Sequence, residues 1–77
     1  LDRLSADDLL ECISRLPAGY RTVFNLYAIE GYTHKEIAAM LHIQEITSRS
    51  QFARARKALQ EMVQSLIAQD NVSRNRT

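Results

Sequence analysis

A chain of 77 residues allows one small domain with a modest core and little room for an enclosed active site, so catalysis is not expected. No apolar run approaches the roughly 20 residues that a membrane helix requires, and the composition is that of an ordinary globular domain. Ten Lys and Arg against nine Asp and Glu leave a formal net charge of +1, but the average conceals a polarity. Asp2, Asp7, Asp8 and Glu11 crowd the start, whereas Arg49, Arg54, Arg56 and Lys57 are accompanied only by Glu45 in the later segment. A local basic stripe of this kind marks one face made for an anion.

The first helix is expected over about residues 5–16. Ser5 and Asp8 have capping-box spacing, Leu4 can staple to Leu9, and Leu9, Ile13 and Leu16 recur on one side. The lone cysteine, Cys12, falls on that apolar stripe as core filler. It has no disulfide partner, which suits a reducing compartment. Pro17 ends this helix and suits the first position of the next, expected over 17–30, with the stripe Tyr20, Val23, Phe24 and Tyr27 and a stop at Glu30-Gly31.

A third helix is expected over 33–41. Thr33 and Glu36 form a second capping box, Tyr32 can staple to Ile37, and Ile37, Ala38 and Leu41 line the inner side. After the break at His42-Ile43, residues 45–69 contain no Gly or Pro and allow a helix of roughly 37 Å at 1.5 Å per residue. Its stripe is Phe52, Ala55, Leu59, Met62 and Leu66. The expected architecture is therefore all-α, a small bundle of four helices in one domain over 1–69. Residues 70–77 have neither caps nor periodicity and are expected to form a disordered tail. Leu9, Ile13, Val23, Phe24, Ile37, Leu41, Phe52 and Leu59 are the expected core. The chain begins at Leu1 rather than Met and has no leader-like segment, so it is expected to be part of a longer protein.

The chemistry concentrates in residues 33–57. A short capped helix, a break and a longer basic helix make a helix-turn-helix, whose second helix can enter a major groove about 12 Å wide. With Phe52, Ala55 and Leu59 turned inward, Arg49, Ser50, Ala53, Arg54 and Lys57 fall on the outward side. Arg can pair bidentately with guanine, Ser can serve a base or a phosphate, and the small Ala53 permits close approach. Arg49, Ser50, Ala53 and Arg54 are thus the base-reading candidates. Thr33, His34, Lys35, Thr47, Arg56 and Lys57 are the phosphate candidates, with the N–H groups at the start of the third helix attracting an anion. Without the capped helix before it, the same spacing of bases would read as a solvated helix face. His34 and His42 have no Cys or carboxylate at a zinc-like spacing, so no metal is expected, nor any cofactor or small-molecule substrate.

"LPAGYRTVFNLYAIEGYTHKEIAAMLHI" followed by "TSRSQFARARKAL" resembles the C-terminal region 4 of bacterial sigma factors of the extracytoplasmic-function (ECF) group. Its most specific elements are Leu16-Pro17 with Arg21, Glu30-Gly31-Tyr32-Thr33, Glu36-Ile37-Ala38, and Ala53-Arg54-Ala55-Arg56 ahead of Leu59. The resemblance implies a bacterial, cytoplasmic protein. It further implies recognition of the −35 element of double-stranded promoter DNA, docking on the β flap of RNA polymerase, and restraint by an anti-sigma factor. It matches Arg49, Ser50, Ala53 and Arg54 to base-reading and backbone-contacting sites, and Thr33 and Lys35 to phosphate contacts. The departures lie in the turn: His42 and Ile46 stand where the family usually has Gly, Gln44 where it has Ser, and Ser48 where it has Val or Ile. His tolerates a left-handed backbone, whereas Gln is a poor helix cap. Ile46 could meet a thymine methyl or replace packing lost at Ser48. Two alternatives stand beside this reading. One is a helix-turn-helix output domain of the LuxR or response-regulator type. The other is a protein-interaction module built on Met62, Val63, Leu66 and Ile67, which would otherwise close the core.

Overall fold

Local sequence signals position each helix start. In a computed structural model, which describes the backbone of residues 5–75 and the side chains of residues 5–69, Ser5 caps α1 (Ala6–Ser14). The Asp8 N–H donates to Ser5 Oγ at 3.1 Å and the Ser5 N–H to Asp8 Oδ2 at 3.1 Å, so two otherwise orphaned donors are satisfied reciprocally. The expected staple from Leu4 to Leu9 involves a residue outside the described range. Pro17 then turns the chain into α2 (Ala18–Phe24), and the Arg21 guanidinium reaches back over the corner to donate to Ser14 O at 2.9 Å and Leu16 O at 3.4 Å. This explains the Leu16-Pro17-x3-Arg21 spacing: a cation satisfies carbonyls left without helical partners at the corner where α1 ends.

From Asn25 to Ile29 the second helix widens into a π-helical turn. The Glu30 N–H donates to Asn25 O and the Tyr32 N–H to Leu26 O, each at 2.9 Å, with Gly31 at φ +83°, a conformation that a Cβ would strain. Thr33 caps α3 (His34–Leu41) through the expected box: the Glu36 N–H donates to Thr33 Oγ1 at 3.1 Å, and the Thr33 N–H to Glu36 Oε1 at 2.9 Å. His42 ends α3 in the left-handed conformation, φ 57° and ψ 43°, a backbone that Gly adopts most readily and His tolerates. The Ile43 N–H closes the end on Ala38 O at 3.0 Å.

Helix α4 spans Glu45–Asn75, past the end expected near residue 69, because no Gly or Pro follows Gly31. The expected disordered tail over 70–77 falls on residues whose side chains, and beyond residue 75 whose backbone, lie outside the described range. Among the described residues there is no strand, and α1, α2 and α3 all pack on α4. The fold is the expected all-α bundle of four helices.

The core lies along α4. Cys12, Ile13 and Leu16 of the α1 end meet Ala55 and Leu59, with Tyr20, Phe24, Ala58, Met62 and Leu66 packed against them. Val23 and Ile37 are also fully buried. Leu9 corrects the expected core: it is 44% exposed, because α1 meets α4 mainly through its second half. Phe24, Leu41 and Phe52 are half-buried rather than enclosed. Phe24 and Phe52 stack with ring centroids 5.7 Å apart.

Candidate nucleic-acid interface

Helices α3 and α4, joined at His42, form the helix-turn-helix, and its joint is partly polar. Ser48, on the inner side of the first turns of α4, is completely buried. Its Oγ lies 2.8 Å from Nδ1 of His34, the first residue of α3. The His34 ring is stacked on Tyr27 with centroids 4.2 Å and planes 8° apart, and Phe52 meets both rings. A hydroxyl thus sits in the buried joint, and its desolvation is offset by a partner 14 residues earlier. Burial of the ring lowers the His34 pKa below 6.5, the Arg49 charge lowers it further, and Glu45 opposes both. The neutral ring is therefore favoured. If Nδ1 accepts the Ser48 proton, Nε2 carries the ring's own and is the edge left for an outside acceptor.

The outward side of α4 carries the base-reading candidates. Arg49, Ser50, Ala53 and Arg54 are all exposed, while Ser48, Ala55 and Leu59 on the opposite side are buried and Phe52 is half-buried. Lys57 is exposed on the outward side as well. Arg49 is not free in this state: its Nη2 lies 2.7 Å from Glu45 Oε2 one turn earlier. Such an exposed i,i+4 pair is worth only about 0.3–0.5 kcal/mol, little enough for a base or phosphate to displace.

The phosphate candidates are dispersed. Thr33 and Lys35 are exposed at the start of α3, and Thr33 is engaged in the capping box. Its backbone N–H first, then its side chain, hold the Glu36 carboxyl below its usual pKa. The box satisfies the Glu36 N–H and leaves those of His34 and Lys35 as first-turn donors without a helical acceptor. Thr47 is half-buried. Arg56 is exposed and borders the open groove lined by Phe24, Leu59, Gln60, Val63 and Gln64. The sequence marked Ser48 as a packing position on the inward side of α4, but a pairing between residues 14 apart leaves no local signal. Its partner became visible only once α3 and α4 were packed.

A capped helix, a left-handed turn and a helix with one exposed basic side are shared by many regulators, and the residue pattern decides among them. The family model for sigma-70, region 4 matches residues 6–59. The chain belongs to the sigma-70 region 4 family. Neither curated proteins nor solved structures match it significantly. As a sigma region 4 domain it is a DNA-binding, regulatory domain of transcription initiation, directed to the −35 promoter element and to RNA polymerase. No helix of the described residues is long and apolar enough to cross a membrane.

Proposed function

We infer that this chain is the −35-reading domain of an ECF-type sigma factor, acting in a bacterial cytoplasm, with α4 as the reading helix. The observation that carries this is the one-sided exposure of Arg49, Ser50, Ala53 and Arg54, opposite the buried Ser48, Ala55 and Leu59. Arg49 and Arg54 read base edges, Ser50 and Ala53 let the backbone approach, and Thr33 with Lys35 clamps a phosphate at the start of α3. His34, Thr47, Arg56 and Lys57 add weaker backbone contacts. The β flap of RNA polymerase meets the other side, formed by α1, α2 and the far part of α4, where Leu9 and Leu10 are exposed and Val63 lines a groove with Phe24. An anti-sigma factor would cover the same apolar side. The family match disfavours the LuxR-type alternative.

Titration of matched and scrambled duplexes at several salt concentrations tests this reading. Arg54→Ala is expected to cost roughly 1–3 kcal/mol on the matched duplex and to relax preference at one or two base pairs. Lys35→Ala is expected to weaken all duplexes alike and to lower the salt slope by about one charge. Equal losses on both duplexes for Arg54→Ala would reduce the outward face of α4 to a phosphate-binding surface.

A further inference from the structure

Ile46 is the most exposed of the large hydrophobic residues described, at 68%. It does not replace the packing lost at Ser48, because Ser48 is itself buried and paired with His34 while Ile46 points to solvent. At 100° per residue, Ile46, Ser50, Ala53 and Lys57 fall in one line down the middle of the outward side of α4, with Arg49 and Arg54 flanking that line on either side. All six are exposed. A β-branched residue in the first turn of a helix gains nothing from helix propensity, and at this exposure it gains little from burial within the fold. The stripe places one apolar side chain at the end of the helix that enters the groove first, between cations suited to a phosphate-lined duplex.

We propose that Ile46 determines specificity by apolar contact with the 5-methyl group of a thymine in the major groove, next to the base pairs met by Arg49 and Ser50. Thymine is the one base that presents a methyl group there, and an aliphatic side chain distinguishes it from cytosine without a hydrogen bond. This rests on the DNA-reading assignment of α4 given above. The occupant follows from charge: the flanking Arg49, Arg54 and Lys57 suit a polyanion.

The test replaces each thymine of the preferred duplex, found by binding selection on random duplexes, with uracil, which removes only the methyl group. For the unaltered chain, one such replacement is expected to weaken binding about fourfold, the factor that corresponds to roughly 0.8 kcal/mol for one buried methyl-sized group. With Ile46→Ala the thymine and uracil duplexes should bind alike at that position, while Arg54-dependent preferences and the salt slope persist. Uracil effects that are absent, or that are identical in the two proteins, would overturn the role of Ile46 and leave the reading helix standing. Failure of the unaltered chain to distinguish selected from scrambled duplexes would overturn the reading helix itself, and this proposal with it.

Discussion

Helix α4 is held at two places by different physics. Along its middle, Ala55 and Leu59 meet Cys12, Ile13 and Leu16 in an aliphatic seam. At its start, Ser48 and Phe52 meet His34 and Tyr27 in an aromatic and polar joint. The seam works by removing apolar surface from water, which is non-directional and insensitive to pH. The joint depends on a hydrogen bond and stacked rings, which fix angles. The difference teaches where rigidity matters: the seam keeps the bundle folded, while the joint sets the tilt at which the exposed basic side of α4 leaves α3.

The largest effect should come from breaking the seam. Leu59→Ala is expected to destabilise the domain by about 2–5 kcal/mol through lost transfer energy and the cavity left behind. In a bundle of this size that is enough to unfold a large fraction of molecules, which thermal melts followed by circular dichroism would show. A loss below about 1 kcal/mol would mean that α1 closes over the gap and that the seam is loosely packed.

Breaking the joint should cost less in stability. Ser48→Ala leaves Nδ1 of His34 without its partner and is expected to cost about 1–2 kcal/mol in chemical denaturation. Pairing Ser48→Val with His34→Phe replaces both polar partners by apolar groups and should recover much of that loss. Additive losses in this cycle would show that the bond contributes nothing beyond the space the two side chains fill.

The smallest effect is pH dependence confined to the joint. The His34 pKa is lowered in the folded state, so the unfolded chain binds the proton more readily and stability rises with pH. This contribution is complete above the unfolded value of 6.5 and is lost as pH falls through 6.5 toward the folded pKa. The groups facing the ring are Tyr27, Glu45 and Arg49, and Arg49 adds to the cost of protonation. Denaturation midpoints between about pH 5 and 7.5 should fall with acid in the unaltered chain and flatten in His34→Gln. An unchanged slope in that variant would assign the dependence to another group.

Much of the architecture was legible in the sequence because it is local. Both capping boxes, at Ser5 and Thr33, join residues three apart, and the left-handed turn at His42 and the stop at Gly31 depend on single residues. The inward stripe of α4 follows from helical periodicity alone, and with it the outward placing of Arg49, Ser50, Ala53 and Arg54. Tertiary packing decided the rest. Whether Leu9 is covered depends on how far along α4 the first helix docks, and Arg21 finds the carbonyls of α1 only across the Pro17 corner. In sequence, Ile46 stood open between meeting a thymine methyl and replacing packing lost at Ser48. Packing α3 against α4 buried Ser48 beside His34 and left Ile46 in solvent, because periodicity gives a residue its face but only the neighbouring helix determines which face is covered.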